Sequence, residues 1–313
     1  MNAVIDFPAP NALTSYRQLE FDVDVQLKTL FSWMKPEARP CFNPGLVQEI
    51  SRAEGAIELS KGWVSHDGNQ ERIETIVFGS RFPGVFNLGG DLDLFQRLIL
   101  GQDRNRLQGY ARECVRNIYR RISGFGAHIT TIALVQGRAM GGGFECALAT
   151  DVIVAERSAC FSFPETLFNL FPGMGALSFL SRRVGLKRAE DIIMSGAVFS
   201  AKEMLDIGVV NELVEDGLGV ESVRKLIQSR QRRANSYRSM QRAKQCYQPT
   251  TITELLDIVE VWVDAALQLD PRDLKMMNRL VRSQDKLLAG TLDDESSVDT
   301  IYVEAPRSAI AAG

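Results

Sequence analysis

Residues Ile132–Glu165 read IALVQGRAMGGGFECALATDVIVAERSACFSFPE, and the order of patterns in this stretch decides the fold. Ile132 to Gln136 is a short apolar run of the kind that forms a buried strand. A glycine-rich turn follows (Gly137, Gly141, Gly142, Gly143), then a short helix opening at Phe144 and Glu145, two further apolar runs and a second glutamate, Glu165. Glycines after a strand let the backbone approach a ligand and turn N–H groups toward it, and a helix start adds positive potential. A donor turn flanked by Glu145 and Glu165 carries the parts that acid–base chemistry beside a thioester carbonyl requires.

The flanking sequence alternates strands with helices. LEFDVDVQL, residues 19–27, places Phe21, Val23, Val25 and Leu27 on one face, which predicts a half-buried strand with Thr29 to Met34 as its antiparallel neighbour. Asn43-Pro44 is an N-cap followed by proline, so a helix is expected through about Ala53. Glu74 to Phe78 predicts a central strand. It leads into FNLGGDL, residues 86–92, where Asp91 is positioned to cap the next helix. Leu107, Tyr110, Cys114, Ile118 and Ile122 keep a helical spacing over 103–122, with arginines on the opposite face. Three short helical segments, 175–184, 188–195 and 201–207, precede an expected strand at Val209 to Val214. Beyond Gly219 the chain reads as wholly helical, ending in a helix from Arg272 to about Leu288. Strand–loop–helix alternation indicates an α/β layered fold.

Composition narrows the function. At 313 residues, 45% hydrophobic and 24% charged, the chain is long enough for a substantial core, and a net charge of -3 argues against a general nucleic-acid binder. No apolar run is long enough to span a bilayer and the N-terminus lacks a signal-peptide pattern, so a cytoplasmic protein without membrane insertion is expected. The five cysteines form no C-x-x-C pair and are expected to be buried, reduced thiols. No metal-ligand cluster, G-x-S-x-G elbow, dinucleotide fingerprint or P-loop is present, so neither a metal nor a cofactor is expected.

FNLGGDL and GRAMGGGFE each follow a predicted strand and precede a helix, so each can aim a backbone N–H at one point. Together with FPETLFNLFPGMG, residues 163–175, these strings resemble the signatures of the crotonase (enoyl-CoA hydratase/isomerase) superfamily over roughly residues 20–285. The resemblance implies an α/β stack of ββα units followed by a C-terminal helical region used in trimer assembly. It divides the chain into a flexible lead-in (1–18), a core (19–219), a helical region (220–290) and a tail (291–313). It also implies catalytic carboxylates at Glu145 and Glu165 and oxyanion N–H groups at Leu88 and Gly142.

Departures from the usual hydratase pattern at Asn169 and Gly175–Ser178, with LFPGMGA-x-SF and VD-x-A-x-QL, resemble the diffusible signal factor synthase branch. That branch implies dehydration of a 3-hydroxyacyl chain on an acyl carrier protein, thioester hydrolysis, and release of a cis-2-unsaturated fatty acid used as a quorum-sensing signal. By the same analogy Met174, Trp262 and Leu280 line the acyl pocket. A homotrimer or dimer of trimers and a regulatory sensor protein are further implied partners. The basic run Arg224, Lys225, Arg230, Arg232, Arg233, Arg238, Arg242 and Lys244 would attract an acidic carrier protein, although such a run is more often a solvated face. Two other readings stay open: a conventional enoyl-CoA hydratase/isomerase on coenzyme A esters, and a non-catalytic binding protein of the same fold.

Overall fold

The computed structural model describes residues 16–35 and 40–288, with side chains through 285. Residues 1–15 of the expected lead-in and the whole expected tail, 291–313, lie outside the described residues.

The elements run β1 (Leu19–Asp24), β2 (Thr29–Met34), α1 (Pro44–Leu59), β3 (Trp63–His66), β4 (Asn69–Arg72), β5 (Thr75–Ser80), β6 (Val85–Asn87), α2 (Leu92–Leu100) and α3 (Arg104–Ile122). The quoted stretch supplies β7 (Thr130–Val135), β8 (Arg138–Met140), α4 (Gly142–Leu148), β9 (Val152–Glu156), β10 (Cys160–Ser162) and a 3-10 turn at Pro164–Phe168. Then follow α5 (Ala176–Val184), α6 (Leu186–Ser195), β11 (Val198–Ser200), α7 (Ala201–Asp206), β12 (Glu212–Val214), α8 (Gly219–Gln231), α9 (Ala234–Tyr247), α10 (Ile252–Ala266) and α11 (Pro271–Leu288).

Two sheets organise this list. The larger has the order β1-β2-β5-β7-β9-β12 and the smaller β11-β10-β8-β6. Consecutive pairs β5/β6, β7/β8 and β9/β10 each give one strand to the larger sheet and one to the smaller before the chain turns helical. This is the expected stack of ββα units. Pairing is parallel from β2 through β5, β7 and β9 to β12, which explains why β5, β7 and β9 read as continuous apolar runs rather than alternating ones. β1 lies antiparallel to β2 at the edge, where its alternation is visible.

Helix starts follow their caps. Asn43, Asp91 and Asp103 accept from the backbone N–H three residues on, and Ser200 with Glu203 completes a capping box. The last two helices fold back on the core: α10 packs on α3, while α11 packs on α2 and on the 3-10 turn that carries Glu165.

The structure corrects several expectations. α1 runs to Leu59, past Ala53. The strand expected at 209–214 shrinks to Glu212–Val214, because the Val209 and Val210 N–H groups bond to the Met204 carbonyl and close the end of α7. The β3–β4 hairpin was not anticipated. It turns at Asp67-Gly68, both with positive φ (49° and 80°), the signature of a two-residue hairpin turn. Of the cysteines, Cys41, Cys114 and Cys146 are buried, but Cys160 is half-buried and Cys246 is exposed. Arg121, assigned to the polar face of α3, is 5% exposed: it pairs with buried Glu54 at 2.6 Å, lies over the Phe78 ring at 4.1 Å and donates to the Cys146 thiol. Among the described residues no helix is long and apolar enough to cross a membrane.

Candidate active site

β8 ends at Met140, and the chain reverses through Gly141 at φ 49° and ψ -122°, a conformation that glycine adopts without strain. A side chain there would also collide with the Glu165 carboxylate, whose Oε1 lies 2.2 Å from the position of a Cβ. Gly143 is equally constrained, since a Cβ would stand 2.2 Å from the Asn87 carbonyl oxygen. These contacts press the Gly141–Gly143 turn against the loop after β6 and bring Gly89 beside Gly142.

Glu145 lies one turn into α4 and is 1% exposed. Its Oε1 accepts from the backbone N–H of Met174 at 2.7 Å and of Ala176 at 2.9 Å, at the entry to α5. Burial raises its pKa to about 7, against the opposing pull of those N–H groups. Glu165 begins the 3-10 turn after β10. Its Oε2 is buried without a hydrogen-bond partner among the described residues, and burial first, then the charge of Glu145, raises its pKa to about 8. The two carboxyls titrate as a pair. Two N–H groups bonded to Glu145 favour its ionised form, whereas only the backbone N–H of Glu165 itself opposes protonation of Glu165, which burial and the Glu145 charge favour.

Leu88 requires a correction. Its N–H donates to the Pro40 carbonyl at 2.7 Å and is not available to a substrate, and the Gly89 N–H donates to Asn87 Oδ1 at 2.7 Å. On this loop the Gly90 N–H is the one with no acceptor among the described residues, as is the Gly142 N–H at the start of α4. Gly90 and Gly142 both line the cleft that holds the glutamates. The pairing of Leu88 with Pro40, 48 residues earlier by position, left no local trace in the sequence.

The cleft encloses about 640 Å³ including its open mouth. Every site residue named from the sequence borders it: Leu88, Gly142, Glu145, Glu165, Met174, Trp262 and Leu280. Its walls are otherwise mainly apolar, with Phe95 packed edge-on to Trp262 at 5.2 Å. Tyr110 and Gln284 also line it; Tyr110 reads in the sequence only as part of a helical stripe and Gln284 carries no signal, because each sits on an amphipathic helix with no motif around it. Asn169 is exposed and ties the Glu165 turn to α11 through Asp273 at 3.3 Å. Among the described residues no group of three or more His, Cys, Asp or Glu is placed to hold a metal ion.

Because both glutamates sit above the usual carboxylate value of 4.5, their burial stabilises the fold only while they are protonated. That contribution fades as pH rises from 4.5 and is gone once pH passes about 8. Glu165→Gln, permanently neutral, therefore unfolds at higher temperature than wild type at about pH 9 and at nearly the same temperature at about pH 5, a gain of roughly a few kcal/mol at the alkaline end. Thermal unfolding at the two pH values checks this; equal melting temperatures at alkaline pH would refute it.

Comparison with known proteins follows the same outline. The sequence model of enoyl-CoA hydratase/isomerase matches residues 58–260. The human mitochondrial methylglutaconyl-CoA hydratase is 30% identical over 177 residues, 54% of this chain and 50% of that protein, so the chain matches about half the length of this curated relative. An enoyl-CoA hydratase/isomerase structure from Xanthobacter autotrophicus superposes with a TM-score of 0.68 at 19% identity, covering 89% of this chain and 98% of the other. A polyketide-biosynthesis enoyl-CoA hydratase from Bacillus subtilis gives 0.66 at 21% identity, covering 86% and 99%. At these identities the structural likeness is one of fold.

Proposed function

The chain belongs to the enoyl-CoA hydratase/isomerase family, and from that premise we propose that it dehydrates a 3-hydroxyacyl thioester and then hydrolyses the thioester, releasing a cis-2-unsaturated fatty acid of the diffusible-signal type. One observation carries the reading: a carboxylate-favouring Glu145 and an acid-favouring Glu165 share an apolar cleft with two backbone N–H groups that have no acceptor among the described residues. The FNLGGDL, VQG-x-A-x-GGGFE, LFPGMGA-x-SF and VD-x-A-x-QL strings support the carrier-protein branch.

The proton inventory closes over both steps. Ionised Glu145 removes the C2 proton, and the enolate oxygen is held by the Gly90 and Gly142 N–H groups. Protonated Glu165 gives its proton to the C3 hydroxyl, which leaves as water. Glu145 is now protonated and Glu165 ionised. Glu165 then deprotonates a water that attacks the thioester carbon, the tetrahedral oxyanion occupies the same pair of donors, and Glu145 protonates the departing thiolate. Each glutamate ends as it began. One donor pair serves both steps because negative charge develops on the same oxygen, with each donor worth about 3 kcal/mol in comparable oxyanion holes.

The test supplies 3-hydroxyacyl carrier protein and 3-hydroxyacyl-CoA separately, with Glu145→Ala and Glu165→Ala as controls, and identifies products by mass spectrometry. Free unsaturated acid released from the carrier thioester is the expected result. Hydration of an enoyl-CoA without thioester cleavage overturns the hydrolytic half and supports the second reading, a conventional hydratase on coenzyme A esters. The similarity to methylglutaconyl-CoA hydratase favours that reading.

Carrier selection is tested on α8 and α9. α8 buries Val223 and Ile227 against the larger sheet, whereas α9 has no buried residue. Arg224, Lys225 and Arg238 face Asp24, Glu221 and Glu74, while Arg232 and Arg233 have no carboxylate partner among the described residues. Arg232→Glu/Arg233→Glu is expected to raise KM for the carrier-bound substrate roughly tenfold and flatten its salt dependence, leaving the CoA ester unaffected. Unchanged kinetics across ionic strength would exclude this surface from docking.

A further inference from the structure

Gln284 is placed one helical turn after Leu280 on α11, on the face that borders the cleft. It is 7% exposed, and its amide makes no hydrogen bond among the described residues. Most other polar groups in the cleft are engaged: Glu145 accepts from two backbone N–H groups, and the Tyr110 hydroxyl donates to the Phe42 carbonyl. Among the described residues Glu165 Oε2 is buried without a partner, and the Gln284 amide has no protein partner while keeping access to the cleft. A molecule that fills the cleft takes this amide out of contact with water, so one that hydrogen-bonds it is preferred over one that does not.

We infer that Gln284 is a specificity-determining residue that hydrogen-bonds the C3 hydroxyl of the acyl chain and selects 3-hydroxyacyl thioesters over unsubstituted ones. A carboxamide both donates and accepts, and a hydroxyl does the same. The C3 hydroxyl is also the one polar group between the thioester and an alkyl tail, so an amide among apolar walls has a single matching site on such a chain. With its oxygen held by Gln284, the hydroxyl receives the Glu165 proton in a fixed orientation, and the amide itself neither gains nor loses a proton. α11 holds this position through the Asn169–Asp273 bond and through Gln96, which donates to the Leu274 carbonyl at 3.3 Å. The inference rests on the proposed 3-hydroxyacyl substrate and adds to it the residue that recognises the hydroxyl.

The experiment compares 3-hydroxyacyl and unsubstituted acyl thioesters of equal chain length as ligands of the wild-type chain, Gln284→Met and Gln284→Glu, measuring Kd by calorimetry and KM and kcat separately for the hydroxylated substrate. Wild type is expected to prefer the hydroxylated ligand by roughly fivefold to tenfold. Gln284→Met removes that preference while binding the unsubstituted ligand at least as tightly, and Gln284→Glu, which keeps an acceptor oxygen, restores part of it. A preference that survives in Gln284→Met overturns the assignment, as does an equal loss of affinity for both ligands, which marks a packing role or a bound solvent molecule. Because the binding comparison needs no turnover, a wild-type chain that discriminates but yields no product refutes the proposed reaction and not the recognition.

Discussion

Glu145→Gln lowers kcat by roughly a thousandfold and leaves KM within a few-fold of the wild-type value. The amide retains an oxygen at Oε1, so the Met174 and Ala176 N–H groups keep their acceptor and the entry to α5 stays in place. What disappears is the proposed base, so the loss is expected in kcat. Glu165→Gln has a similar effect, since an amide has no acidic proton for the leaving hydroxyl. The double variant loses little beyond either single one, because the two groups act as a unit. Wild-type kcat/KM against pH is bell-shaped, rising through about 7 and falling through about 8, values that belong to the pair. In Glu145→Gln the charge that helps to raise Glu165 is gone, so the Glu165 pKa falls. Steady-state kinetics with each variant and a carboxyl titration of Glu145→Gln check these outcomes. A kcat within tenfold of wild type would remove Glu145 from the chemistry.

Arg121→Met destabilises the fold by about 3–5 kcal/mol, since it leaves the Glu54 carboxyl buried without its counter-ion. Glu54 Oε2 already has no partner among the described residues, and both side chains are at most 6% exposed, so solvent offers no replacement. Burial pushes the Glu54 pKa up even with Arg121 present. The site is affected as well, because Arg121 also holds Cys146, the residue after Glu145 on α4. Arg121→Met/Glu54→Leu recovers much of the loss by removing both charges. Denaturant unfolding of the single and double variants decides this: a single variant as stable as wild type would show that the pair contributes little.

Much of this architecture was legible because its signals are local. A cap such as Asn43-Pro44 or Asp91 acts over three residues, and the alternation in β1 reflects the pleat of one edge strand. The β3–β4 hairpin was equally legible in Asp67-Gly68, but its strands carry charged and polar residues, and no apolar alternation drew attention to them. Arg121 was misplaced for a different reason. Helical spacing assigns a face, but it does not show that Glu54 from α1 waits on the buried side.

The sequence by itself determined the donor turn, the two glutamates and the strand–loop–helix alternation, since glycine spacing and strand–turn–helix order are properties of contiguous residues, while the ββα stack followed from the family resemblance. Only the tertiary structure decided which N–H groups stay free. The Leu88 donor is consumed by Pro40, from outside its own loop, leaving Gly90 and Gly142, which line the same cleft. It also decided how the carboxyls differ: Glu145 meets two N–H groups from the entry to α5 whereas Glu165 meets only its own backbone N–H, and α11 returns to set Gln284 into the same cleft. Burial and hydrogen-bond partners arise from segments far apart in the chain, so the pKa of each glutamate is a property of the folded packing and not of the motif that contains it.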